Sequence, residues 1–468
     1  MKILFIAPKI GSQAKLLVGI AYLSAVLKET GHEVELLEID EKKDLDKIFL
    51  TIESFNPQII GLTANSHQYD YAVDIARDIK SKFNAKIFLG GVHSTLAPEN
   101  AVKEKCFDGV CVGEGEEAFL ELIGKIENHQ DYFDTKNFWF YKDGDLIKND
   151  IRPIMNDLNS LPMPDYSIFK YYKSAGSSEI VPRFIFSRGC PFNCTYCCNH
   201  AIKRIYIDQS NYVRFRSVEK SLAEIDLIKS KYNFKHFKID DDTFSLNKKW
   251  VLEFCEKYKA KFNMTFECNV RVGAVDREIL EALKSAGCNL IKVGVESGNE
   301  KLRREVLNRQ IFNGKIIELF DLAREVGLKT FSFNMIGVPG ETKSTVKDTI
   351  NLNARLRPDY LQVTAFYPYP STALGDRCLK EGLIGDYHLD SYMKESVLNL
   401  PTLSRGQIER AVKYFKFNVY RQYDRKRAVA EIKVVVKNSI IRNKFLYKPV
   451  RLFYNLAKKI KLNIGFKV

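Results

Sequence analysis

The feature that most constrains this chain is a rhythm. Between residues 181 and 375, short apolar runs alternate with amphipathic stretches. Strands are predicted near 182–188, 235–240, 264–269, 290–295, 329–335 and 360–366, and helices near 217–231, 248–261, 275–286, 312–326 and 342–356. Such alternation requires parallel strands joined by helical crossovers. Six strands fall short of the eight that close a TIM barrel, so a partial (βα)6 barrel is expected. Residues 1–150 repeat the pattern, with strands near 2–7, 33–38, 58–63, 86–90 and 109–112 and helices near 17–30, 70–83 and 115–127. In the first helix Val18, Ala21, Tyr22, Ala25, Val26 and Leu27 lie close to helical spacing, and Gly31 supplies the stop. A doubly wound, Rossmann-like parallel sheet follows. A hairpin is expected at 136–148 around Asp143-Gly144.

The expected class is therefore α/β. Its parts are a Rossmann-like domain over 1–150, a Pro- and Tyr-containing linker over 151–180, a barrel over 181–375 and a basic helical region over 376–468. Pro449 is read as the start of a last helix, with Val450, Phe453, Ala457 and Ile460 on one side.

The net charge of +14 is unevenly placed. Residues 405–468 hold 18 Lys and Arg against three acids, Glu409, Asp424 and Glu431, so the rest of the chain is close to neutral. Nothing in the body argues for nucleic acid. The tail interleaves its charges with Tyr414, Phe415, Phe417, Tyr420, Tyr447, Phe453 and Tyr454. Such a segment suits either a helical subdomain with a solvated face or peripheral contact with an anionic membrane at its inner face. No apolar run approaches the ~20 residues of a membrane helix. Met1 to Pro8 reads as a buried strand rather than a signal segment, which makes the cytoplasm the expected compartment.

Four of the ten cysteines fall between positions 190 and 198. Cys190, Cys194 and Cys197 form Cys-x3-Cys-x2-Cys after the β-type run Phe184-Ile185-Phe186. Without an export signal such clustering points to metal before disulfides. Three thiolates in one loop suit three irons of a [4Fe–4S] cluster and leave the fourth iron open. A zinc site is the competing reading, with His200 nearby, although zinc favours two separated ligand pairs. Cys198 lies outside the ligand spacing and reads as a bystander.

This loop, with Tyr196 before the third cysteine, resembles the radical SAM superfamily. The resemblance implies a 4Fe-4S cluster, with S-adenosylmethionine on its open iron and reductive cleavage to a 5′-deoxyadenosyl radical. Further matches sit at the ends of predicted strands. Asp240-Asp241-Asp242-Thr243-Phe244 resembles an Asp-Asp-x-Phe motif beside the SAM ammonium. Arg271 matches a common arginine. Gly294-Val295-Glu296-Ser297-Gly298 resembles Gly-x-Glu-Ser-Gly, and the stretch from Asn334 to Thr342 resembles a turn near adenine and ribose. Pro368-Tyr369-Pro370-Ser371-Thr372 departs from Pro-Tyr-Pro-Gly-Thr at Ser371. The SAM contacts so implied are Tyr196, Asp241, Asp242, Arg271, Glu296, Ser297 and Asn334.

Residues 1–127 resemble the cobalamin-binding domain that precedes the barrel in one branch of this superfamily. The matches are Gly19 to Leu23, Gly31 to Val34, Gly90-Gly91-Val92-His93-Ser94-Thr95 and Gly113-Glu114-Gly115-Glu116. The implied cobalamin contacts are Gly90, Gly91, His93, Ser94, Thr95, Gly113, Glu114 and Glu116. The Asp-x-His-x-x-Gly motif that supplies a lower cobalt ligand elsewhere is absent, and His93 is not assigned that role. A recognition domain without corrin is the alternative.

The branch implies methylation of an unactivated carbon on a small-molecule or lipid substrate, with a low-potential flavodoxin or ferredoxin as reductant. The alternatives are a cyclase, oxidase or carbon–carbon coupling enzyme with the same radical start, and a non-catalytic sensor. A tRNA methylthiotransferase is disfavoured, because Cys106 and Cys111 are too few for a second N-terminal cluster.

Overall fold

A computed structural model describes residues 1–9, 17–40, 44–174, 179–385, 391 and 393–442. The N-terminal sheet has seven strands: β1 (Lys2–Pro8), β2 (Glu33–Ile39), β3 (Ile59–Thr63), β4 (Lys86–Gly90), β5 (Gly109–Cys111), β6 (Phe138–Lys142) and β7 (Asp145–Lys148). Their order is β2-β1-β3-β4-β5-β6-β7. The first five are parallel, and β6 and β7 return antiparallel as the expected hairpin. Positive φ at Asp143 and Gly144 gives the tight turn its twist. Continuous apolar runs such as Ile59-Ile60-Gly61-Leu62 are buried on both faces, as a helix-covered parallel sheet demands. The chain leaves β1 toward β2 and returns to β3 on the other side. That switch point opens a crevice at the carboxyl ends of the strands. A helix over Leu45–Phe55 is additional to those expected, although Leu45, Ile48, Phe49 and Ile52 share one face.

The second sheet has six parallel strands, in the order β15-β14-β13-β12-β11-β8. They are β8 (Arg183–Phe184), β11 (His236–Ile239), β12 (Thr265–Val270), β13 (Cys288–Glu296), β14 (Lys329–Ile336) and β15 (Tyr360–Ala365). Helices over Val218–Lys231, Lys248–Lys261, Arg277–Ser285, Asn313–Glu325 and Lys343–Leu356 connect them. The strand expected at 182–188 is broken. β8 ends at Phe184, and β9 (Ser187–Arg188) turns away to pair antiparallel with β10 (Arg214–Phe215). The cause is a corner held from afar. Asp241 accepts from Phe186 N at 2.8 Å and from Ser187 Oγ, and Phe186 O accepts from Arg216 N at 2.8 Å.

One apolar core runs from the first sheet into the barrel. The segment between them is pinned to both. Asp165 accepts from Ser24 Oγ at 2.7 Å and Lys28 Nζ at 2.6 Å, while Tyr166 donates to Glu224 at 2.5 Å. Glu224 pairs with Arg216, both about 1% exposed, and Arg216 also donates to Tyr22 Oη at 3.1 Å. Paired charges so deep are costly to break from one side, at about 3–5 kcal/mol.

Among the described residues between Lys380 and Arg405, turns and an Ile384–Leu398 bridge stand where helix is expected, and helices over Arg405–Tyr420 and Arg425–Arg442 follow. The former packs Ile408, Val412, Phe415 and Val419 in a core shared with β14 and β15. The last helix expected from Pro449, and the basic residues beyond 442, lie outside the described residues. No helix among the described residues is long and apolar enough to cross a membrane.

Candidate active site

The cysteine loop sits over the carboxyl ends of the barrel strands. Gly189 starts it at φ +87°, where a Cβ would lie 2.1 Å from Tyr212 O. Thr195 N donates to Leu307 O at 3.3 Å, Thr195 Oγ1 to Val306 O at 2.5 Å, and Thr195 O accepts from Leu374 N at 2.9 Å. Two segments distant in sequence, Val306-Leu307 and Leu374, thus hold the loop before any metal arrives. Cys194 is buried, and Cys190 and Cys197 are half-buried. Burial pushes the Cys190 thiol up to about 11. Among the described residues no three His, Cys, Asp or Glu groups converge to hold a single ion. Three thiols spaced along one loop suit a polynuclear cluster, whereas zinc favours two separated ligand pairs. Cys198 opens a short helix and hydrogen-bonds with Cys197.

Several predicted SAM residues surround this loop. Arg271 lies 3.7 Å from Cys194 Sγ and stacks on Phe192 at 3.6 Å from the ring centre. Asp242 is exposed to solvent, and its charge is felt by Cys190, Cys197 and Cys198. Crowding by protein raises its carboxyl, and a hydrogen bond from Asn199 only partly opposes this. Tyr196 accepts from Arg309 Nη1 at 3.0 Å, and Arg309 bridges to Glu296 at 3.7 Å and to Gly294 O at 2.7 Å. Glu296 has φ +64° at an irregularity in the β13–β14 register. Burial raises its carboxyl more than Arg309 lowers it. Sequence reasoning misses Arg309, since no motif contains it.

Three expected contacts point elsewhere. Asp241 is fully buried, and both carboxylate oxygens are engaged at the β8–β9 corner. Burial pushes its carboxyl up to about 7. Ser297 is buried against Thr349, 3.4 Å from its hydroxyl, and accepts from Asn299 N. Asn334 exchanges hydrogen bonds with Asn353 and donates to Gln362 O. The strand period explains Asn334: Phe331 and Phe333 face the barrel lumen, so Ser332 and Asn334 face the helix layer.

The crevice at the first sheet opens into a cavity of about 570 Å³, walled on its far side by Ile185 to Arg188 and Asp240 of the barrel. Gly90, Gly91, Gly113, Glu114 and Glu116 line it. Gly91 has φ +99°, and a Cβ there would lie 2.7 Å from Thr63 Oγ1. The wall continues through Gly19, Gly61, Phe88 and Phe119 into an apolar slot beneath the sheet's helices. A backbone cradle at strand ends with an apolar slot fits a large planar cofactor such as cobalamin.

The remaining cradle residues support rather than line it. Ser94 Oγ donates to Cys111 O at 2.7 Å, and Thr95 Oγ1 donates to Gly91 O and accepts from Gly113 N, both at 3.1 Å. His93 is turned away by the short helix Val92–Leu96 and stacks on Tyr69 at 3.9 Å. Burial pushes its imidazole down to about 4. No histidine is among the described residues that line the cavity. Glu114 and Glu116 do line it but face cations of the barrel. Glu114 binds Arg214 at 2.9 Å and Arg188 at 3.2 Å, and Glu116 binds Arg188 at 2.5 Å. Burial would push Glu114 up, but Arg214 and Arg188 outweigh it and hold the carboxyl low.

Comparison with known proteins agrees with this geometry. Residues 184–352 match the model of the radical SAM superfamily, and residues 17–123 match that of the B12 binding domain. An uncharacterized methyltransferase, PH0819, of Pyrococcus horikoshii is 28% identical over 434 residues, covering 90% of this chain and 92% of that one. An anaerobic magnesium-protoporphyrin IX monomethyl ester cyclase of Cereibacter sphaeroides is 26% identical over 455 residues, covering 92% of this chain and 71% of the relative. The fold is shared with the radical S-adenosylmethionine methyltransferase TsrM of Kitasatospora setae, at TM-score 0.65 and 17% identity over 81% of this chain and 76% of that one. The radical SAM match implies a 4Fe-4S cluster and S-adenosylmethionine, and the B12 match implies cobalamin. The chain belongs to the radical SAM superfamily, as a member carrying a B12-binding domain ahead of its barrel.

Proposed function

We propose that this protein is a cobalamin-dependent radical SAM methyltransferase that methylates an unactivated carbon of a small molecule. One observation carries the reading. The cradle cavity and a second cavity of about 790 Å³ in the barrel lumen adjoin, with Asn65, Val92 and Arg183 in the walls of both. Cys198, next to the proposed ligand Cys197, lines the second. A molecule in the lumen would therefore face the cluster loop and the cradle together. The cofactors, when bound, supply one-electron hydrogen abstraction and a transferable methyl group.

The chain's own part is binding, orientation and exclusion of water. Cys190, Cys194 and Cys197 would hold the cluster, and Arg271 would offset thiolate charge at Cys194. Asp242, exposed to solvent near the cysteines, is the better carboxylate for the SAM ammonium. Asp241 shapes the loop by holding its first corner. Tyr196, Arg309 and Glu296 form a fixed wall beneath the loop. Gly90, Gly91 and Gly113 would let the corrin approach the backbone, with Ser94 and Thr95 bracing them. A low-potential flavodoxin or ferredoxin would supply electrons. Any contact of the basic tail with a membrane would bring an apolar substrate nearer.

A second reading, a cyclase-type outcome without methyl transfer, is favoured by the relative named as a cyclase. One experiment separates them. The full chain is purified without oxygen from cobalamin-supplied cells, and iron and corrin are counted per chain. About four irons and one corrin are expected. With S-adenosylmethionine, a one-electron reductant and candidate substrates, methyl transfer gives a methylated product and S-adenosylhomocysteine beside 5′-deoxyadenosine. Product without S-adenosylhomocysteine supports the second reading, and four irons with no corrin overturns the first.

A further inference from the structure

The barrel lumen has two unlike walls. On one side Lys238, Glu267 and Lys292 project from three neighbouring strands, β11, β12 and β13. Glu267 is the register partner of Lys238, and one carboxylate faces both ammonium groups, at 2.7 Å and 2.6 Å. His236 stands 3.8 Å from the same carboxylate. Arg183 adds a cation higher in the cavity and pairs with Asp240. On the adjoining strand β14 Phe331 and Phe333 line the lumen, with ring centres 4.8 Å apart, and Phe331 is the register partner of Lys292.

The lysine–glutamate–lysine group therefore carries a net positive charge. Lys292 and Glu267 keep only 11% and 7% of their side-chain exposure. A charge held there without full compensation is unfavourable unless something answers it. A structural role alone would be served by one lysine and one glutamate. The second lysine, Lys238, keeps 35% of its side-chain exposure and faces the cavity, where its charge is open to an anionic group. The aromatic wall sets the shape of the rest of that ligand.

We propose that the lumen binds its ligand by an oxyanion seated at Lys238 and Lys292, with an apolar or aromatic body lying along Phe331 and Phe333 toward the cluster loop. Carboxylate and phosphate share the required chemistry. The inference rests on the methyltransferase reading only in identifying this ligand as the substrate.

The test is equilibrium binding to the cofactor-loaded full chain, by anaerobic titration calorimetry. The probes are 2-naphthylacetate, its neutral amide and 2-naphthyl phosphate. The carboxylate is expected to bind at least tenfold tighter than the amide, and the phosphate arm tells which oxyanion the site prefers. Lys292→Met and, at the more exposed position, Lys238→Met should each reduce that acid-to-amide ratio at least fivefold. Glu267→Gln, which releases both lysines, should raise it. Thermal melts identify any variant that has not folded, and the wild-type ratio stands without variants. Equal binding of acid and amide, or a ratio indifferent to both lysines in folded variants, overturns the proposal. Reductive cleavage of S-adenosylmethionine by the same wild-type preparation is read separately, and its absence would count against the methyltransferase reading alone.

Discussion

The cluster loop and the cradle face each other across one interface, yet they are specified in different ways. At the loop the chemistry is written in side chains: three thiols, the Arg271 guanidinium beside Cys194 and the Asp242 carboxylate. At the cradle it is written in backbone. Gly91 occupies φ +99° where a Cβ would collide with Thr63, and the acidic pair that could have touched a ligand is engaged with Arg188 and Arg214 across the domain joint. The difference follows from the ligands. A metal cluster needs named donor atoms, whereas a large cofactor held by shape needs room and rigid edges. Damage at the loop should therefore be all-or-none and confined to iron, and damage at the cradle graded and confined to corrin.

The largest effect is expected from the adjacent cysteines. Cys197→Ala should lower iron per chain by roughly tenfold and abolish S-adenosylmethionine cleavage, because three ligands are the minimum the loop offers. Cys198→Ala should retain iron near the wild-type level, although its thiol touches Cys197. Corrin content should be unchanged in both. Iron assay with the cluster's visible absorption checks this. Loss of iron in Cys198→Ala, or of corrin in Cys197→Ala, would break the separation.

Much of this contrast is legible in the amino-acid sequence, and the illegible part has a common cause. The cysteine spacing, the apolar strands and the glycine-rich strand ends are local patterns. The features that sequence reasoning misses depend on distant partners. The strand at 182–188 breaks because Asp241, more than 50 residues on, captures Phe186 and Ser187. Glu114 and Glu116 read as ligand contacts because Arg188 and Arg214 lie more than 70 residues away. The Lys238–Glu267–Lys292 group has no sequence signature, because it is assembled across three strands: Lys238 is the register partner of Glu267, and Lys292 stands two residues beyond Glu267's other partner, Leu290. Asn334 is a different case: alternation with Phe331 and Phe333 already places it on the outer face.

A middle-sized effect should come from Gly91→Ala. The glycine's φ and ψ of 99° and −167° fall in a region costing other residues about 1–3 kcal/mol. The added methyl also meets Thr63 Oγ1 and Ala64 O at 2.7 and 3.0 Å. The cradle edge must shift, so corrin affinity should fall by roughly tenfold or more, at the usual 1.4 kcal/mol per decade. Iron and the cluster absorption should stay at wild-type levels. Corrin titration of the cofactor-depleted chain reads the first, and iron assay the second. Equal loss of both would mean that the cradle edge also shapes the loop.

The smallest effect sharpens the comparison most, because it tests a side chain that acts only through backbone. Thr95 Oγ1 ties Gly91 O to Gly113 N across the cradle, with both contacts at 3.1 Å. Thr95→Val keeps the shape and removes the tie, leaving a partly buried N–H without its acceptor. The expected cost is about 1–2 kcal/mol. Part of it should appear as lower thermal stability and part as a looser cradle, with corrin binding roughly three- to tenfold weaker. Thr95→Ser, which restores the hydroxyl, should recover most of the affinity. A hydroxyl that contacted the corrin directly would respond differently, since serine's freer rotamer would restore the brace without restoring a fixed contact. Recovery by serine therefore assigns Thr95 to the support of Gly91 and Gly113, and failure of serine to rescue would put a side chain back among the cradle's direct contacts.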